Sequence, residues 1–433
     1  MFRSSVRGSE KAARVKTCTM LMMRRMRTTI RLNLNFLGKL FVAVTSVFLY
    51  CEYLHYYVVL SQCGWPPLDP SAADPSVSDA GAPLRVMVLA DTHLLGRRNG
   101  HWFDKLRREW QMHRAFQTTV TLHRPNVFIF LGDLFDEGKW CQPEEFVEYV
   151  ARFHKLFAVP EDADVLVAVG NHDIGFHYSV SPYLLNRFQR TFDVGPVKLV
   201  QIAGVTFVLL NSMAMEGDDC FLCRPAKNKI KVISRQLKCA RGDKEACKYW
   251  QSPELQQFSQ PSAAAAKYFD CYHWCITCST TLCTGTLTPC VTRRIEAPPA
   301  TKHTRFRERW ECLSKDASEM LLEELSPRLV LSGHTHHGCH VEHPSPLHPP
   351  SPLHPPAQEY TIPSFSWRNK RNPTFSMLTI SSNNYAIYKC HMPQEVTVMA
   401  LYGIAVLLLI AWIVLLKFRS KGVLYIKVSK HLD

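Results

Sequence analysis

The sequence predicts an α/β domain carried between two membrane-spanning helices. Three observations predict it. Short continuous runs of Val, Ile, Leu and Phe recur through the middle of the chain, as in strands buried on both faces. A helix-like stretch links the first two runs, which is a β-α-β layout. Two long apolar segments flank this region.

The flanking segments set the topology. Residues 396–416 contain no charge, and about 20 apolar residues span a bilayer core as a helix. Residues 40–60 include Glu52 and His55 and read as an N-terminal signal anchor, preceded by a long basic stretch. The chain has 433 residues and a formal charge of +14, unevenly placed. Residues 1–40 carry ten Lys/Arg and one acid; residues 417–433 carry five and one. The rest is close to neutral, which excludes a basic body built to coat nucleic acid. Lys/Arg outside both spans, Arg24 and Arg25 before the first and Lys417 and Arg419 after the second, place both termini in the cytosol. The expected organisation is therefore a basic tail (1–39), an anchor (40–60), a linker (61–83), a lumenal domain (84–395), a second span (396–416) and a basic tail (417–433).

Of 16 cysteines, all but Cys18 and Cys51 lie between the spans, where an oxidising lumen permits disulfides. Cys220, Cys223, Cys239 and Cys247 cluster in a Cys-rich insertion, residues 213–265. Two readings stand there, a four-cysteine zinc site and disulfides within a loop; disulfides are favoured. No Asn-x-Ser/Thr sequon occurs, so N-glycosylation is not expected.

Four apolar runs stop at polar clusters. Arg85–Ala90 meets Asp91-Thr92-His93, and Val127–Leu131 meets Gly132-Asp133-Leu134-Phe135-Asp136. Val165–Val169 meets Gly170-Asn171-His172-Asp173, and Leu329–Leu331 meets Ser332-Gly333-His334-Thr335-His336. Residues 104–122 supply the crossover helix. Ligands of such sheets gather at the carboxyl ends of the strands. Asp, His and Asn there offer mixed N and O donors, which suit Mn, Fe or Zn better than Ca. Two such ions about 3.5–4 Å apart clamp a phosphoryl group. Each motif alone is weak; four in this order, each after a strand, are strong.

The order D-x-H, G-D-x-x-D, G-N-H-D, G-H-T-H resembles the calcineurin-like metallophosphoesterase superfamily over roughly residues 84–390. ADTHLLG, LGDLFDEGKW, GNHDIGFHY and PSFSWRN are similar to its GPI-remodelling branch, the post-GPI attachment to proteins factor. The resemblance implies a two-sheet β sandwich flanked by helices, one helix layer on each face. It implies two divalent metal ions, most simply Mn2+. Asp91, His93 and His336 would hold the first, Asn171 and His334 the second, with Asp133 bridging. His172 would protonate the leaving oxygen, with Asp136 orienting it; Asp173 would fix the turn. His177 and His340 are expected to be exposed loop residues. The implied activity is removal of an ethanolamine-phosphate branch from the GPI glycan. That would promote exit of GPI-anchored proteins through cargo receptors at the endoplasmic reticulum, its exit sites and the Golgi. The alternatives are a phosphoesterase acting on protein or nucleotide, or an impaired isoform with an incomplete second metal site.

The last alternative rests on a departure. The family carries one more His, in a strand-end segment Q-H-Y-P-L-Y-R, and no such segment is printed here. Residues 268–290 stand in its place, rich in Cys and Thr and without a strand or helix period. The first two codon bases of Cys278 to Gly285, each read with the preceding base, admit L-Q-H-Y-P-L-Y-R at all eight positions. This takes Ser279 as AGY and Leu282 as CTN. A shifted reading frame over residues 266–302 is therefore expected. Sequencing the transcript across codons 255–310 should return the motif; bases that cannot encode it would refute the shift. A tandem repeat, SPLHPP-SPLHPP, sits within a Pro-rich segment, residues 343–357, expected to be an extended loop.

Overall fold

A computed structural model describes residues 34–72, 82–250, 274–278, 306–343 and 356–429. Along the chain lie α1 (Leu34–Leu60), β1 (Leu84–Leu89), α2 (Trp102–His123), β2 (Val127–Leu131), α3 (Pro143–Leu156) and β3 (Asp164–Ala168). Then follow α4 (Pro182–Phe192), β4 (Val197–Ile202), β5 (Val205–Leu210), α5 (Cys223–Ala240), α6 (Lys244–Trp250) and β6 (Trp274–Cys278). The last elements are α7 (Lys315–Leu325), β7 (Leu329–Ser332), β8 (Cys339–His343), β9 (Ala357–Thr361), β10 (Thr374–Ile380), β11 (Tyr385–His391) and α8 (Glu395–Ser429). They fall into two units, Met1–His55 with Val398–Asp433, and Tyr56–Thr397.

The first unit holds most of the two apolar helices. Leu34–Leu60 and Glu395–Phe418 are each long and apolar enough to cross a membrane. The described part of the first reaches to Leu34, six residues before the expected span, and includes Leu34, Phe36 and Leu37. Glu52, the acid within this segment, has a partner: Tyr402 Oη donates to Glu52 Oε1 at 2.6 Å. Phe36 stacks on Trp412 with ring centroids 5.7 Å apart.

In the second unit, two sheets face each other. One has the order β11-β10-β1-β2-β3, the other β4-β5-β6-β7-β9-β8. Strands β1, β2 and β3 run parallel, with Leu89 opposite Phe130 and Phe130 opposite Val167. The β5-β6-β7-β9 core of the second sheet is also parallel. Strand alternation explains the layers. Val86, Val88, Ile129 and Leu131 meet Phe207, Leu209 and Leu331 between the sheets. Met87, Leu89, Phe128 and Phe130 point outward, where Phe116 of α2 packs at 5.3 Å from Phe128. Val208 and Val330 share the outer cluster with Ile230 and Ile233 of α5 and Leu321 of α7. The result is the helix-sheet-sheet-helix sandwich expected above.

Four expectations change. The 61–83 linker is not a free tether over its described part. Cys63 is disulfide-bonded to Cys390, Trp65 Nε1 donates to the His123 carbonyl, and Asn384 donates to the Asp69 carbonyl. The Cys-rich insertion begins as helices, because Ala226, Ile230, Ile233 and Leu237 make a buried stripe along α5. Its disulfide reading holds for Cys239–Cys247, whereas Cys220 and Cys223 keep free thiols. Trp274–Cys278 is a strand, pairing with both β5 and β7; the remainder of 266–302 lies outside the described residues. The repeat, residues 345–356, lies outside the described residues except for Pro356. It joins β8 to β9, which pair with His343 opposite Ala357, so those boundary residues belong to strands.

Candidate metal centre

The site forms where β1, β2, β3 and β7 end. The backbone must turn sharply there without breaking the sheet. Asp91, His93, Asp133, His334 and His336 all have positive φ, at 52°, 44°, 49°, 72° and 60°. Asp and His tolerate this left-handed region better than most residues, and each such residue stores roughly 1–3 kcal/mol of strain. The loops after β1 and β2 stay laddered: His93 N–H donates to the Asp133 carbonyl at 3.0 Å and Leu94 N–H to Leu134 at 2.9 Å. Gly170 lets β3 approach them. A Cβ there would lie 2.1 Å from Asp133 N and 2.2 Å from its Oδ1.

Asp91, His93, Asp133, Asp136 and Asn171 are buried, and His172, His334 and His336 are partly buried. Metal-binding atoms of Asp91, His93 and His336 lie within 4.8 Å of one another, as do those of His93, Asp136 and His172. His93 Nε2 sits 3.2 Å from His336 Nε2 and 3.7 Å from Asp133 Oδ2. The other Asp133 oxygen accepts the His172 N–H at 2.7 Å. The His334 N–H donates to the Asp91 carboxylate at 3.1 Å, while its Nε2 meets the Trp310 carbonyl at 2.8 Å. That contact leaves Nδ1 of His334 as its open donor. Asn171 opens the turn that presents His172 and lines the adjoining cavity.

This donor set fits a divalent cation. Its carboxylates and imidazoles converge with little solvent between them, and an ion among them would satisfy lone pairs that otherwise face each other. Burial and neighbouring Asp133 push the Asp91 carboxyl well above its usual pKa. Burial raises Asp133 too, but His93, His172 and His334 outweigh it and hold that carboxylate below the ordinary range. Burial, then His93, lowers His336 to about 3, so it stands as a neutral imidazole with a lone pair to give.

Asp136 acts differently from the expectation. Its carboxylate lies 3.3 Å from His93 Nδ1 and 3.7 Å from His172 Nδ1. The closer contact to His172 is the Asp136 backbone carbonyl, 3.0 Å from Nδ1. The carboxylate therefore orients His93, and the peptide orients His172. Two residues absent from the sequence reading complete this shell: Arg368 pairs with Asp136 Oδ2 at 2.7 Å and Asn99 donates to it at 2.9 Å. Arg368 belongs to PSFSWRN, a stretch already marked as family-like. Asn99 carried no signal. Asp173 accepts from the Phe135 and Gly170 N–H groups and fixes the turn as expected. His177 is not an exposed loop residue: its ring bonds Met213 O and Asp218. His340 stacks on Tyr360 at 4.2 Å and bonds Gln358, so β8 half-buries it.

Beside Asn171 opens a cavity of about 210 Å³. Phe176, Tyr178 and Trp310 form its aromatic wall, and Glu216 and Arg309 its polar edge.

Known proteins resemble the chain in the same region. A family model described as calcineurin-like phosphoesterase matches residues 84–338. Metallophosphoesterase 1 of Xenopus laevis is 40% identical over 390 residues, covering 89% of this chain and 90% of that one. The Mus musculus protein of that name is 41% identical over 367 residues, covering 85% and 86%. The Danio rerio protein is 40% identical over 383 residues, covering 88% and 92%. With the sandwich, the strand-end donors and these matches in hand, the chain belongs to the calcineurin-like phosphoesterase family and is a metal-dependent phosphoesterase.

Proposed function

We propose that the chain is a membrane-anchored phosphodiesterase that removes an ethanolamine-phosphate branch from the GPI glycan. The observation that carries this substrate is the cavity beside Asn171. A sugar ring has apolar C–H faces and hydroxyl edges. Phe176, Tyr178 and Trp310 offer flat surfaces for the faces; Glu216 and Arg309 offer hydrogen bonds to the edges. Two apolar helices suit a lipid-anchored substrate. GPI-anchored proteins, and cargo receptors of the early secretory pathway, are the partners that follow. The membrane of the endoplasmic reticulum, its exit sites and the Golgi is the location, with the catalytic domain lumenal and both termini cytosolic.

Asp91, His93 and His336 would hold one metal ion, Asn171 and His334 the other, and Asp133 both; Mn2+ suits these donors. Bound ions supply charge stabilisation on the phosphoryl oxygens and an activated nucleophile. The protein's own groups do the rest. The Asp136 carbonyl keeps a proton on His172 Nδ1, which turns Nε2 toward the site. Burial lowers the His172 pKa, so a proton held on Nε2 is readily given to the leaving alkoxide.

Trp310→Ala tests the glycan assignment. It removes one aromatic face, worth about 1 kcal/mol. The ratio of kcat/KM on a GPI glycan to that on a small aryl phosphodiester should fall about fivefold. An unchanged ratio would remove the cavity from substrate recognition and favour a protein or nucleotide phosphoester.

A further inference from the structure

A second cluster of metal-binding side chains lies outside the phosphoesterase centre. His177 Nε2, an Asp218 carboxylate oxygen, Cys220 Sγ and Cys223 Sγ all fall within 4.8 Å of one another. We propose that these four residues bind a structural zinc ion.

The donors come from two places in the chain. His177 follows the turn that begins at Asn171; Asp218, Cys220 and Cys223 lead into α5. The local bonds prepare each donor. His177 Nδ1 lies 2.8 Å from the Met213 carbonyl, which can only accept, so Nδ1 carries a proton and Nε2 is the nitrogen a cation would take. That Nε2 faces Asp218 Oδ2 at 2.7 Å. An imidazole nitrogen this close to a carboxylate oxygen has a proton or a cation between them. Asp218 Oδ1 lies 3.1 Å from Cys223 Sγ. The Cys223 N–H donates to Cys220 Sγ at 3.0 Å, which fixes that sulfur's position. The Cys220 N–H in turn holds Asp218 Oδ1.

Two sulfurs, one imidazole nitrogen and one carboxylate oxygen suit tetrahedral zinc, with bonds of about 2.0–2.3 Å. Binding converts two thiols to thiolates and releases two protons to solvent. The same unit makes disulfides at Cys63–Cys390 and Cys239–Cys247, yet these two thiols stand unoxidised beside a His and an Asp. The role follows from position. Phe176 and Tyr178 flank His177 on the cavity wall, and the ion would tie that wall to the start of α5.

Cobalt reports the site separately from the phosphoesterase centre, which contains no sulfur. The full chain in detergent, stripped and reloaded with Co2+ alone, should show thiolate-to-cobalt charge-transfer absorption. Asp133→Asn should keep this band, and Cys220→Ser/Cys223→Ser should lose it together with one equivalent of zinc in the protein as isolated. Alkylation and mass spectrometry of the wild type give a reading that needs no variant. Both thiols should alkylate only after chelation. A Cys220–Cys223 disulfide, thiols that alkylate freely before chelation, or a missing thiolate band in folded wild type would overturn the proposal.

Discussion

Asp133→Asn is expected to lower phosphoester hydrolysis by more than about 100-fold and to strip metal from both sites. Loss of an outer hydrogen-bond partner of a metal ligand costs up to about 100-fold, and the proposed role of Asp133 as a ligand of both ions implies a larger loss. The substitution conserves shape but removes the charge. Oδ2 faces His93 at 3.7 Å, and Oδ1 holds the His172 backbone at 2.7 Å. An amide in this place keeps at most one of these roles, because its nitrogen cannot accept. Metal content by elemental analysis and turnover of an aryl phosphodiester check it. A variant that binds both ions and retains a tenth of the activity would remove Asp133 from the bridging position.

Gly170→Ala is expected to destabilise the second unit by about 3 kcal/mol, the upper end of overpacking costs. The new methyl meets Asp133 N, Oδ1 and Cα at 2.1, 2.2 and 2.8 Å, and two of these are backbone atoms that no rotamer change can move. Either β3 retreats from β2 or the turn at Asp133 shifts. Both routes displace the His172 N–H from Asp133, so activity should fall with stability. Thermal unfolding should drop by roughly 6–12 °C, at 2–4 °C per kcal/mol. Gly64→Ala is the matched control, since nothing lies within 4 Å of a Cβ there. Equal melting temperatures for the two variants would contradict the packing described.

The parts of this fold legible in sequence are those where burial is two-sided. β2 is apolar throughout, and β1, β3 and β7 are apolar apart from Arg85, Asp164 and Ser332 near their ends, because the sandwich covers one face and helices the other; each strand leads into a polar ligand type. The candidate donors were visible because they sit two to five residues past a strand. What was hidden depends on contacts between distant segments. Arg368 reaches Asp136 across 232 positions, and Asn99 lies in an irregular loop. His177 looked like a lone surface imidazole because its partner Asp218 is 41 residues away. The Cys-rich insertion drew attention to its cysteines and away from the 3.6-residue stripe of Ala226, Ile230, Ile233 and Leu237. Asp136 shows a finer limit: spacing marked the residue, but not that its peptide, rather than its carboxylate, holds His172.

The most direct test of the central claim is mass spectrometry of a synthetic GPI glycan carrying ethanolamine phosphate on its second mannose. The glycan is incubated with the purified full chain and Mn2+. The expected result is loss of the branch as ethanolamine phosphate, dependent on added metal and absent with Asp133→Asn. A branch left intact under conditions where the same preparation hydrolyses a small phosphodiester would contradict the assignment.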